Sequence, residues 1–96
     1  MILRVCENGN EQVEPASPQR VTQVFAPEAP IADGTEITVA EGERWLTAMA
    51  VGAAGSATEL LMSGADGERA TVSGVAARSE ALRLFREFMA SAGSLR

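Results

Sequence analysis

The amino-acid sequence predicts one α+β domain over residues 1–96. We expect an antiparallel β-sheet of four to five strands with a short N-terminal helix and a C-terminal amphipathic helix. Short β-prone runs are separated by turn dipeptides such as Asp66-Gly67. Apolar residues recur at helical spacing between residues 81 and 92. A chain of 96 residues, 46% apolar and 22% charged, has the length and composition of a single globular domain.

The N-terminal segment predicts a strand and a brief return. Residues 2–6 are apolar and β-prone except at one position. The dipeptide Asn8-Gly9 is a hairpin signal. Residues 12–14 are therefore predicted to pair back, but only briefly, because Pro15 and Pro18 prevent a longer strand.

Ser17-Pro18 predicts the start of a short helix, with serine as N-cap and proline at the first helical position. Pro27 and Pro30 are predicted to end the helix. Its apolar face comprises Val21, Val24 and Phe25.

The middle of the chain contains one ambiguous run. Residues 36–39 predict a strand that the turn Glu41-Gly42-Glu43 ends. Residues 44–51 fit a helix that places Trp45, Ala48 and Met49 on one face, or a strand that places Trp45, Thr47, Met49 and Val51 on one face. We favour the strand, because Gly42 and Gly52 bracket a run too short for a typical helix.

The last third predicts a hairpin and a helix. Residues 58–63 and 69–73 are strand-like, and Asp66-Gly67 between them predicts a type I′ turn. Gly52 to Ser56 is predicted to be a turn. The element order is then β-α-β-β-β-β-α, and Gly93 is expected to follow the final helix. The apolar stripe of that helix comprises Ala81, Leu84, Phe85, Phe88, Met89 and Ala92.

The composition argues against an enzyme. The sequence contains no His and no Lys, and Cys6 is its single cysteine. These residue types supply the commonest general base, the Schiff-base nucleophile and most soft metal ligands. We therefore expect no catalytic residues, no cofactor and no metal site. The lone cysteine and the lack of a long apolar run favour a cytoplasmic protein that does not cross a membrane.

The acidic charge is concentrated in the N-terminal half. Residues 1–43 contain eight carboxylates and two arginines, a net charge of −6, whereas residues 44–96 have a net charge of +1. An acidic surface repels nucleic acid and attracts basic proteins. We therefore predict a basic protein partner and no nucleic-acid binding.

Trp45 admits two interpretations. A core position is the first, and an exposed binding anchor beside the acidic turn is the second, since tryptophan is enriched at interface hot spots. If the residue is an anchor, the acidic side chains near it in sequence form the contact surface. The predicted partner-binding residues are Asp33, Glu36, Glu41, Glu43 and Trp45.

The order of elements resembles a known group of proteins. The strand and turn at residues 37–46, the hairpin at residues 59–69 and the helix at residues 80–88 are similar to small immunity proteins of bacterial polymorphic-toxin systems. That resemblance implies a non-enzymatic cytosolic protein that binds and inhibits a cognate toxin. The alternative is a structural or interaction module that forms a homodimer through a sheet edge or the C-terminal helix.

Overall fold

A computed structural model describes residues 1–26, 31–51 and 59–94, without the side chains of residues 91–94. Six strands and two helices are present in these ranges. Their bounds are β1 Ile2–Glu7, β2 Asn10–Pro15, α1 Pro18–Val24, β3 Glu36–Glu41, β4 Arg44–Val51, β5 Glu59–Asp66, β6 Arg69–Ala76 and α2 Arg78–Ser94. The glycine-rich turn predicted at residues 52–56 and the prolines at positions 27 and 30 lie outside the described residues.

The six strands form one antiparallel sheet in the order β2-β1-β3-β4-β5-β6. Because side chains alternate along each strand, the sheet has two faces of different composition. The face that packs on α1 and α2 is called the covered face, and the opposite one the open face. The α+β class is confirmed, but the sheet has six strands rather than four to five.

The core lies between the covered face and the two helices. Leu3, Ile37 and Val39 are fully buried on the sheet. The helices contribute Phe25 and Phe85, whose ring centroids are 5.0 Å apart and whose planes are tilted by 56°. Tilted aromatic pairs at this distance are stabilising beyond the area they bury.

The additional strand is β2, which was predicted only as a brief return over residues 12–14. Asn8 and Gly9 adopt φ angles of 51° and 82°, as a type I′ turn requires. This turn aligns β2 with β1 from Glu7↔Asn10 to Ile2↔Pro15. Proline is tolerated at the end of β2 because this is an edge strand, where one side needs no ladder hydrogen bonds.

Two other turns share a pattern that the type I′ prediction missed. Positive φ occurs at Gly42 (62°) and Gly67 (65°), but not at Asp66. Asp66 instead pairs with Arg69, so Gly67-Glu68 forms the two-residue loop. Glycine at the first loop position is the requirement of a type II′ turn. The two turns touch, since the Gly67 amide donates to the Glu43 carbonyl at 3.0 Å.

The strand interpretation of residues 44–51 is confirmed by β4. Strand β6 contains a β-bulge opposite Gly64 and Ala65 of β5. Thr71 is the extra residue and has no paired residue on β5. Ala70 and Val72 are two residues apart but lie on opposite faces, because the bulge shifts the alternation of side chains.

The helices begin largely as predicted. The Ser17 hydroxyl caps α1 by accepting a hydrogen bond from the Arg20 amide at 3.1 Å. The Arg20 side chain also forms an ion pair with Glu14 of β2 at 3.1 Å, which ties α1 to the sheet edge. Helix α2 extends through Gly93 to Ser94, so this glycine does not follow the helix as expected.

Candidate functional site: the open face of the sheet

The large apolar side chains that remain exposed share one location. Among the described residues, those with at least about a third of their surface exposed all lie on the open face. They are Ile2 at 40%, Val13 at 57%, Trp45 at 36%, Leu61 at 41% and Val75 at 58%. Because no described helix packs on this face, these side chains form an apolar surface of the kind that marks interaction sites.

The strand register places these side chains in rows across the sheet. One row runs Ile2, Ala40, Trp45, Ala65 and Ala70 from β1 to β6. The next row carries hydroxyls, and the Thr38 and Thr47 hydroxyl oxygens are hydrogen-bonded at 2.9 Å. The third row runs Cys6, Glu36, Met49, Leu61 and Val75.

The β4–β6 part of the open face is nearly free of charge. Its eleven described positions include one charged residue, Glu59, which lies at the end of β5. The other ten positions are occupied by large apolar residues or by alanine, serine or threonine. The centre of a protein interface typically contains few charged residues together with aromatic and aliphatic side chains that act as anchors. The ten uncharged residues are Trp45, Thr47, Met49, Val51, Leu61, Ser63, Ala65, Ala70, Ser73 and Val75.

One end of the sheet is strongly acidic. Five exposed carboxylates lie at the β1–β2 turn and at the start of β3 and β5. Arg4 forms an ion pair with Glu11 at 3.4 Å. Arg78, which follows β6 at this end, is instead buried and donates to the Ala26 carbonyl. The exposed groups, which are five carboxylates and Arg4, therefore have a net charge of −4. We call this group the acidic end; it comprises Glu7, Glu11, Asp33, Glu36 and Glu59.

The opposite end, with the two type II′ turns, is closer to neutral. Its carboxylates are accompanied by Arg44, Arg69 and the N-terminal amine. The amine lies 3.8 Å from the Glu41 carboxylate. Arg44 stacks over the Phe88 ring of α2, with 4.4 Å from Cζ to the centroid. The strands therefore join two ends of different charge.

The structure separates the five predicted partner-binding residues. Glu36 and Trp45 share the open face, on neighbouring strands but about four residues apart along them. Asp33 lies in the turn before β3, at the acidic end. Glu41 and Glu43 lie at the other end of β3, and Glu41 is on the covered face beside Arg44. The five residues therefore do not form one cluster.

Trp45 is exposed, so the interpretation of it as a core residue was wrong. Its strand neighbours Leu46, Ala48 and Ala50 are the buried ones. Alternation along β4 places Trp45 on the open face and assigns the small alanines to the helix contact. The same alternation was the signal for Leu61 and Val75, which were not named as functional residues.

A cleft lies on the covered side, between the β4–β6 strands and α2. This cleft has a volume of about 350 Å³. Its apolar floor includes Leu46, Val72 and Leu84, and its rim includes Asp66 and Glu87. Glu87 is already engaged in an ion pair with Arg83 of the same helix. The hydrogen bonds that Arg83 donates to Glu80, and then the negative charges of Glu80 and Glu87, raise the pKa of Arg83 above its ordinary value.

The described ranges contain no group of three or more Cys, Asp or Glu side chains placed to hold a metal ion. Within the same ranges, no helix is long and apolar enough to span a bilayer. Comparison with known protein families, with curated proteins and with solved structures gave no match.

Proposed function

We propose that this protein is a non-enzymatic binding module that uses the open face of its sheet to dock another protein. The observation that carries the proposal is that Ile2, Val13, Trp45, Leu61 and Val75 all occupy this face. A sheet face whose centre contains few charged residues is suited to binding another protein. Such binding requires no catalytic groups.

The particular role we propose is that of a cytoplasmic immunity protein, which binds and inhibits a cognate bacterial toxin. The resemblance in element order supports this role, as does the acidic net charge of −5, since toxin domains that act on nucleic acid are commonly basic. Co-expression with the product of the neighbouring gene tests it. Rescue from toxicity together with a stable complex would support the role. The absence of both rescue and complex formation would contradict it.

Trp45→Ala is expected to weaken that complex by roughly 30-fold or more, because buried tryptophan anchors dominate interface energies. Leu61→Arg is expected to weaken it further, since it places a charge in the apolar centre of the face. Isothermal titration calorimetry with the purified partner measures both effects. Thermal melts should change little, because both side chains are exposed in the free protein.

Ala90→Arg is the matched control for Leu61→Arg. Ala90 is exposed on α2, on the opposite side of the sheet, so the same charge is added away from the open face. The control should retain the affinity of the unaltered protein. Equal losses for both arginine variants would rule out the open face as the docking surface.

The alternative is a homodimer through the β6 edge. Residues 70–76 of this edge strand contain no charge and no proline, whereas the edge strand β2 contains Glu11, Glu14 and Pro15. Charged and proline-containing edges resist strand addition, so β6 is the edge better suited to pairing. A concentration-dependent dimer in sedimentation analysis that Ser73→Lys abolishes would support this alternative.

A further inference from the structure

We propose that the partner of the open face is a basic protein whose apolar centre packs on β4–β6 while its cationic rim lies over the acidic end. This inference rests on the proposed function, and it adds the chemistry and orientation of the partner. The face is apolar in its centre, and the open-side carboxylates Glu11, Glu36 and Glu59 all lie at the acidic end. A partner with cations on one side of an apolar patch therefore fits in one orientation.

The position of the carboxylates relative to the apolar rows gives the orientation its physical basis. Glu36 lies in the same row as Met49 and Leu61, two strands from the latter. Glu59 lies two residues before Leu61 on the open side of β5. Neighbouring strands are about 4.8 Å apart, so both carboxylates lie within about 10 Å of the Leu61 backbone. This distance is close to one Debye length at physiological salt, so the attraction between these carboxylates and a cationic partner should be strongest at low salt.

A second copy of the chain fits this face less well. Two sheets stacked face to face by two-fold symmetry place either the same ends or opposite ends together. In the first arrangement the two acidic ends, each of net charge −4, repel one another. In the second, the acidic end meets the turn end, which contains Glu41, Glu43, Asp66 and Glu68 against two arginines and the N-terminal amine. Neither arrangement brings opposite net charges together, so charge favours a heterologous basic partner.

The area of the face supports contact with the acidic end as well. Six strands of six to eight residues give a flat area of roughly 650 Å² at the usual strand spacing and rise. A stable protein–protein interface buries roughly 800 Å² on each side. A partner confined to the flat face therefore falls short, and one that also covers the carboxylates at the acidic end reaches the usual size.

Two charge-reversal variants with the same net charge test the inference. Glu36→Lys/Glu59→Lys alters the acidic end, and Glu43→Lys/Glu68→Lys alters the turn end, so each variant shifts the net charge from −5 to −1. All four side chains are exposed. Association rates with the purified toxin are measured by stopped flow at several salt concentrations. The acidic-end variant is expected to associate roughly tenfold more slowly at low salt, and the turn-end variant less than threefold more slowly.

The other outcomes are distinguishable. Equal slowing by both variants would show that net charge acts without orientation, and would overturn the inference. Unchanged rates for both would overturn it as well. Glu36→Gln/Glu59→Gln should show an intermediate effect, which separates charge from an altered fold. If Trp45→Ala and Leu61→Arg bind as tightly as the unaltered protein, the proposed docking face itself fails. A dimer of this chain that Leu61→Arg dissociates would instead identify a second copy as the occupant.

Discussion

Replacing Phe85 by alanine is expected to lower the free energy of unfolding by about 3–5 kcal/mol. Phe85 is fully buried and packs against Phe25, so the change removes an aromatic contact between the helical segments and leaves a cavity over the sheet. A domain of this size has a total stability of about 5–15 kcal/mol, so the variant should be close to unfolding at physiological temperature. Urea denaturation followed by circular dichroism measures the loss.

Phe88→Ala is the matched control on the same helix. Phe88 is only half-buried and lies one turn beyond Phe85, over the Arg44 guanidinium. Its truncation removes less apolar contact and opens a site that water can fill, so the expected loss is smaller, about 1–2 kcal/mol. A loss at Phe88 equal to that at Phe85 would contradict the position of the core.

Arg78→Met is expected to lower the free energy of unfolding by about 2 kcal/mol. Arg78 is 8% exposed, and its Nη1 donates a hydrogen bond to the Ala26 carbonyl at 2.6 Å. This contact joins the start of α2 to the end of α1. Methionine keeps much of the aliphatic stem but removes the donor, and leaving the partly buried Ala26 carbonyl without this partner is expected to cost about 2 kcal/mol, within the range of about 1–3 kcal/mol for an unsatisfied buried group. Thermal and urea denaturation measure the change.

Arg83→Met is the control for this substitution. Arg83 also forms ion pairs, with Glu80 and Glu87, but it is exposed on α2. Surface pairs of this kind contribute about 0–1 kcal/mol, so the control should lose clearly less stability. If the two methionine variants are equally stable, the Arg78 hydrogen bond does not hold the helices together.

The two stability variants and the two binding variants probe different sides of the sheet. Phe85 and Arg78 act on the covered face and the helices, whereas Trp45 and Leu61 act on the open face. Variants of the first pair should reduce binding only as far as they unfold the protein. Those of the second should reduce binding with the melting temperature nearly unchanged. This contrast separates a docking surface from a region that is needed only for folding.

Much of the fold was predictable because it follows from local patterns. Ser17-Pro18 specifies the start of α1 by capping chemistry, and the spacing of Ala81 and Phe85 specifies the buried stripe of α2. The extent of β2 was not predictable in the same way. Its residues include two glutamates and a proline, and they form a full strand because the Asn8-Gly9 turn presents them to the edge of β1.

The candidate site, like the fold, was predictable from the sequence only in part. The sequence by itself determined the alternation along β4, the acidic net charge and the absence of histidine and lysine. Only the tertiary structure decided that both helices lie on one face, which leaves Trp45, Leu61 and Val75 exposed together. It also decided which carboxylates meet, because Glu7, Glu36 and Glu59 are distant in sequence and the antiparallel register brings their strand ends together. The physical reason is that strand pairing and helix packing are long-range contacts, whereas turns, caps and periodicity depend on neighbouring residues alone.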